Sequence, residues 1–482
     1  MMRSLGVGVV VGVVACGPTP PPESDTEGGS SDSSGGGSIS GVPMTSGGPT
    51  SPQPSTDPTI TTTPAPTTGA VTTDIEPTTT GETATSSPTT PTSATTDSTT
   101  SAEDCGGGSD CPSGQVCVAG ACVGVQELPS CGVFSEVTSI FPLVHAPTSL
   151  VVADLDGDGD LDIATGAPQV SVIEVQVNSG SGDFSPGSVI ALISATGELH
   201  LAAGDLDVDG DTDLAAAQQV ASDVNVLVGQ AGQWTVKPKL EAASGTRRVH
   251  FGDVDDNGGA GGDLLTISET SPTIGTWLGD GLGNFAQGMP ADVPVSLAVS
   301  VLDVSGDALS DLVGPTSLDG FTTARVFTGV LGGGFTESVA LSAGGSPISQ
   351  ALAGELDGPV GHEIVGLTQD DEGGLVAVWR AEQPGEWLAV PRLWRAPAVL
   401  TGGLLADFDG DGLLDLIAGG DAASVSVLRG DADGGFFCSN TFALEAPAPR
   451  ELLAAGDVDG DGRMEIVAGA PDLLEIQILT TL

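Results

Sequence analysis

The 482-residue chain has no tyrosine, four histidines and only 12 basic residues against 64 acidic ones, a formal net charge of −52. Without Tyr, and with so little His, the side chains that move protons near neutral pH are scarce, which argues against acid–base catalysis. It argues in particular against lyases of acidic polysaccharides, which commonly use Tyr. No HExxH, GxSxG or phosphate-loop motif occurs. No Lys or Arg stands between Arg3 and Lys237, so the chain cannot neutralise phosphates along a backbone, and nucleic acid is excluded as a partner. A cation is the expected partner of such a chain. The apolar run Leu5 to Ala15 is too short to cross a bilayer.

What the N-terminus does contain reads as a signal peptide, with Arg3 ahead of an apolar stretch that ends in small residues. Val13-Val14-Ala15-Cys16-Gly17 resembles a bacterial lipobox, with Val13 where Leu is usual. The resemblance implies that residues 1–16 carry the signal, that Cys16 is lipidated as the mature N-terminus, and that the protein is lipid-anchored in a bacterial cell envelope, at the outer membrane or cell surface. A plain secretory signal is the alternative, and it leaves Cys16 as an odd thiol. Lipidation leaves six Cys, an even number suited to an oxidising compartment.

Residues 17–103 are Pro, Thr, Ser and Gly with acidic residues, a composition that cannot bury enough apolar surface to fold. They read as a disordered stalk whose ends stand roughly 50 Å apart as a flexible coil. Residues 104–124 form a small Cys-rich segment with Cys105, Cys111, Cys117 and Cys122. It is too small for a core, so disulfides are expected to hold it. Zinc is the rival, but the paired CxxC spacing of zinc ribbons is missing.

From residue 131 to 482 short Val, Leu, Ile and Ala runs alternate with Gly and Asp, which reads as strands and turns. Acidic loops begin at Asp154, Asp205, Asp253, Asp303, Glu355, Asp407 and Asp457, 48 to 52 residues apart. Seven such units predict an all-β fold, a seven-bladed β-propeller of four-stranded blades. An aromatic recurs at the expected fourth strand: Phe184, Trp234, Phe285, Phe335, Trp387 and Phe437. These rings are expected to be core between blades. The seventh unit lacks a fourth strand before Leu482, and Phe134 has the phase to bring one from residues 131–143. Cys131 and Cys438 would then sit at nearly matching positions on the fourth strands of neighbouring blades. Pairing them would bolt the ring, provided their Cα atoms come within about 7 Å.

The loop Asp154-Leu155-Asp156-Gly157-Asp158-Gly159-Asp160-Leu161-Asp162 offers side chains at positions 1, 3, 5 and 9 and the carbonyl of position 7. All donors are oxygen, which favours Ca²⁺ over transition metals, and their number disfavours Mg²⁺. The same pattern gives Asp205, Asp207, Asp209, Asp211 and Asp213, then Asp407, Asp409, Asp411, Leu413 and Asp415, then Asp457, Asp459, Asp461, Arg463 and Glu465. The third and fourth loops, at Asp253 and Asp303, are degenerate and expected to be weak or empty. The fifth, Glu355 to Glu363, has Pro359 at its third ligand position and is expected to hold no metal. Position 12 carries Thr165, Ala216, Ala418 and Ala468, so these are not EF-hands.

With their DxDxDGxxD loops, Phe251-Gly252, and Gly166-Ala167-Pro168 and Gly469-Ala470-Pro471 after the first and last loops, these units resemble the FG-GAP and VCBS repeats of integrin α-subunit propellers and of many secreted bacterial proteins. The resemblance implies calcium that stiffens one face and partners on the opposite face. The expected function is therefore a non-enzymatic, surface-anchored binding or adhesion module for an extracellular protein or glycan. The alternative is an extracellular polysaccharide-active enzyme with its site opposite the calcium loops. On that opposite face His145, His200, Arg247, Arg248, His250, Arg395 and Arg450 fall in the connectors or at the strand starts. They would give a basic centre for an anionic ligand, with His200 and Arg248 as the leading contacts, against the alternative of a scattered, solvated set.

Overall fold

In the computed structural model the described residues are Cys105 and 111–482, apart from 133–135, 194–196, 257–261, 272, 359–360, 421, 448 and 482. The expectations for the signal, Cys16 and the stalk lie outside them. The propeller has seven antiparallel sheets, each beginning at the axis and ending at the rim. The first blade is Ser149–Ala153, Asp162–Ala167, Val172–Asn178 and Phe184–Ala191, in that order. Its first strand and those of the later blades, Leu199–Gly204, Thr246–Gly252, Ser300–Leu302, Gln350–Gly354, Gly402–Ala406 and Leu453–Gly456, each touch the next, and the last touches the first. Crowding at the axis explains their small residues: a Cβ on Gly204 would come within 2.9 Å of the Phe251 ring of the next blade.

The buried apolar side chains fall into seven clusters, one between each pair of neighbouring blades. Inner and middle strands are covered on both faces, so they read as continuous Ala, Val, Leu and Ile runs. Phe184, Trp234, Phe285 and Phe335 pack against these clusters and Trp387 is buried. Phe437 is not core: it is 52% exposed, while Phe436 is 2% exposed against Trp394. Register gives the reason. Phe436 pairs with Gly430 as Phe184 pairs with Asn178, Phe285 with Gly279 and Phe335 with Gly329, and one residue further along a strand the side chain faces the other way. Trp387 sits on a short separate hairpin, and the fifth blade takes Arg392–Arg395 as its fourth strand.

The ring closes as the missing strand required. Glu136–Pro142 pairs antiparallel along all of Glu475–Thr481 and completes the seventh blade. Cys131 and Cys438 are bonded, with Cα atoms 5.0 Å apart. Cys131, however, lies before the closing strand, where Ser130 makes a parallel bridge to Ser439 on the outer edge of the sixth blade. Upstream, the hairpin Gln115–Val118 and Ala121–Gln126 is stapled by Cys105–Cys117 and Cys111–Cys122. Its second strand adds in parallel to Arg392–Arg395. The segment thus covers the rims of blades five and six before entering blade seven, removing open edges.

Candidate metal centres and cationic residues

Each acidic loop joins the first strand of a blade to its second, and an apolar residue at position 2 fixes it. Leu155, Leu206, Val254, Val304, Leu356, Phe408 and Val458 are all buried, which sets the acids at positions 1 and 3 on either side of an anchored backbone. The acid at position 9 is itself buried and receives the position-2 N–H in every blade. Asp162, Asp213, Asp263, Asp311, Glu363, Asp415 and Glu465 accept it at 2.7 to 3.1 Å. In the first six blades its other oxygen accepts an N–H from the end of the third strand, at Asn178, Gly229, Gly279, Gly329, Ala381 and Gly430. The closing acid is therefore a structural staple as well as a potential ligand, a role that ligand counting missed. Its signal was in the sequence, because an acid closes all seven loops even where position 3 is Ser305 or position 5 is Asn257 or Pro359.

In loop one Asp154 accepts from Gly157 and Gly159 at 2.8 and 3.0 Å, with Gly159 at φ +96° where an L side chain would be strained. Asp154, Asp156 and Asp162 each bring an oxygen to within 4.8 Å of the others, and so do Asp205, Asp207 and Asp213, and Asp407, Asp409 and Asp415. Asp457 is held like Asp154, by Gly460 and Gly462. Asp158, Asp160, Asp209, Asp211, Asp411, Leu413, Asp461 and Arg463 lie on the outer part of their loops, outside these triads. The third loop departs from its expected weakness, since Asp253, Asp255 and Asp263 form the same triad despite two extra residues. Burial pushes Asp162, Asp213 and Asp263 up to about 6 and Glu465 up to about 7, against the pull of their backbone donors. Asp156, Asp207 and Asp459 are also raised, first by burial and then by the next acid in the loop. Asp207 Oδ1 and Glu465 Oε1 are buried with no hydrogen-bond partner. Buried oxygens without a donor, in an all-oxygen cluster, fit a hard cation.

The cations on the opposite side are nearly all engaged. Arg248 is 2% exposed and bonds Glu451, joining blade three to blade seven across the axis. His200 and His250 are buried with ring centroids 5.7 Å apart, and burial together with Arg248 holds His200 well below its ordinary value and His250 at about 3. His145 meets Glu174 at 2.5 Å, Arg247 meets Glu198 and Glu269, Arg395 meets Asp370 and Glu372, and Arg450 meets Glu451. The structure gathers His200, Arg248, His250 and Arg450 near the axis, with both histidines buried and both arginines paired to Glu451. The only two lysines of the chain instead share one cavity, of about 400 Å³, between the rims of blades two and three. Lys237, Lys239, Trp277, Asn284, Phe285 and Gln287 are among its walls. Lys239 is paired with Asp223 at 2.7 Å, while the Lys237 ammonium donates to the Leu282 carbonyl at 2.7 Å.

The sequence of the first blade, residues 146–185, matches the FG-GAP repeat family, and residues 407–468, spanning the sixth and seventh acidic loops, match the FG-GAP-like repeat family. The chain thus carries FG-GAP repeats on a seven-bladed β-propeller, a fold that supports a binding or adhesion-type module in general. No curated protein matches it. Among solved structures it is similar to BBS1N in complex with ARL6DN, at 10% identity and a TM-score of 0.51, covering 74% of this chain and 98% of that one. An Agrocybe aegerita lectin that recognises non-reducing terminal N-acetylglucosamine aligns at 18% identity and 0.46, covering 65% of this chain and 81% of that one. At 10% identity the likeness to BBS1N concerns the fold alone.

Proposed function

We propose that this protein is a calcium-stabilised, non-enzymatic binding module, anchored in a bacterial envelope through Cys16 and directed at an extracellular glycan or protein with anionic groups. The observation that carries the calcium part is the repeated triad with its partnerless buried oxygens at Asp207 and Glu465. Asp154, Asp156 and Asp162, with their counterparts in loops two, three and seven, would hold the ion. It would supply the positive charge these buried acids lack.

The ligand reading rests on the lysine cavity. On a chain of net charge −52 the Lys237 ammonium, beside aromatic and amide walls, is a local attractor for carboxylate or sulfate. The full chain, screened on arrays of glycans and acidic peptides in calcium, is expected to retain anionic ligands. Lys237→Ala should weaken that binding about tenfold and flatten its salt dependence, leaving the melting curve unchanged. Equal affinity in Lys237→Ala would place the ligand elsewhere.

Anchoring is checked separately. Cys16→Ser is expected to move the protein out of the membrane fraction or stop its processing, and to abolish metabolic palmitate labelling. A Ser variant that stays in the membrane and labels equally would defeat the lipid assignment.

A further inference from the structure

The residue that precedes the third-strand N–H holding the closing acid has one position in each of the first six blades, and its identity divides them. It is Val177, Val228, Leu278 and Thr328 in blades one to four, but Arg380 in blade five and Arg429 in blade six. Both arginines turn onto their own acidic loop. Arg380 donates through Nε to Asp357 Oδ2 at 3.1 Å, and Arg429 Nη1 forms an ion pair with Asp409 and lies 3.6 Å from Asp415 Oδ2. Asp409 and Asp415 are two of the three acids of the sixth triad. The Arg429 guanidinium is buried, 5.1 Å over the Phe408 ring that anchors the same loop.

From this geometry we infer that blades five and six carry their own cation, so that the sixth loop, whose sequence is a full DxDxDGxxD match, is not a calcium site. The inference rests on the calcium reading of the other loops. Calcium needs bare oxygens at about 2.3–2.6 Å, and the two carboxylates best placed to give them already face a guanidinium. Arginine has no neutral form to retreat to. Binding an ion would expel a buried charge from a dry site beside an aromatic ring, leaving it unpaired. Blade five shows the same arrangement where the loop has no ligand set to compete for, with Pro359 at position 5. The two blades are also those whose rims receive the Cys-rich hairpin and the Cys131–Cys438 bond. The part of the ring that the N-terminal segment grips is thereby made independent of calcium, while loops one, two, three and seven depend on it.

The test counts ions by equilibrium dialysis of the full chain and follows hydrogen exchange in chelator. Asp207→Asn is expected to lose one calcium per molecule and Asp409→Asn none, while Arg429→Val, which copies blades one and two, gains one. In chelator, exchange should quicken at 154–162 and 205–213 and remain slow at 407–415. The inference is overturned if Asp409→Asn loses an ion as Asp207→Asn does, or if 407–415 loses protection with the other loops. Failure of the calcium reading itself looks different, because Asp207→Asn would then change nothing. In that case Arg429→Val should still speed exchange at 407–415 without any response to calcium, and unchanged exchange there would reject the built-in cation as well.

Discussion

Removing calcium from the full chain is expected to lower its unfolding midpoint by about 10 °C. Each independent site held at a hundred times its dissociation constant contributes roughly 2.7 kcal/mol, so loops one, two, three and seven together contribute about 11 kcal/mol. For a folded region of this size each kcal/mol moves the midpoint by about 1–2 °C. Asp154→Ala and Asp205→Ala should each reproduce about a quarter of the loss, measured by calorimetry in calcium. An identical melting curve in chelator would end the calcium assignment. The loss also has a pH signature. Asp162, Asp213 and Asp263 have folded values near 6, above their unfolded values near 4. Without metal their protonation favours the fold, a contribution fully present below about pH 4 and lost as pH rises through 6. Calcium holds the same acids ionised, so the gap between calcium and chelator midpoints should widen from pH 5 to 7.5. His200 and His250, buried and depressed, act alike with and without the ion and drop out of that difference.

Most of the architecture was legible because it repeats. A loop of Asp residues every fifty residues fixes blade number, strand phase and the face that the loops occupy, and the missing seventh fourth strand pointed to the N-terminal closure. What failed to read was side-chain direction at single positions. Two adjacent rings, Phe436 and Phe437, both satisfy the aromatic phase, and only the pairing of Phe436 with Gly430 separates core from surface. Arg248 has the position of a channel-mouth residue, yet it lies buried because Glu451 from a blade across the axis meets it. No local pattern shows a partner two hundred residues away. Arg429 takes the strand position of Val177 and Val228, but the N–H that follows it lies 15 residues past its closing acid where theirs lie 16 past, so the spacing from the acidic loop hides the match.

The second large effect concerns closure. Replacing Cys131 and Cys438 together by Ser is expected to destabilise the protein by about 5 kcal/mol, because the bond closes a loop of 307 residues and the entropy withheld from the unfolded chain grows with loop length. That loop contains nearly the whole propeller. When the bond is absent, only the pairing of Glu136–Pro142 with Glu475–Thr481 joins the two ends of the chain in blade seven. That strand can then leave without unfolding the other six blades, and it exposes the edge of Glu475–Thr481 to other chains. The double Ser variant should therefore show faster hydrogen exchange at 475–481 before any global change, a midpoint lowered by several degrees, and aggregation on heating. The pair Cys105–Cys117 serves as the contrast, since it spans 12 residues and staples a hairpin at the rim. Its removal should free the hairpin and leave the main transition in place. Equal midpoints and equal exchange at 475–481 in the Cys131/Cys438 variant and the wild type would mean that strand pairing alone keeps the ring shut.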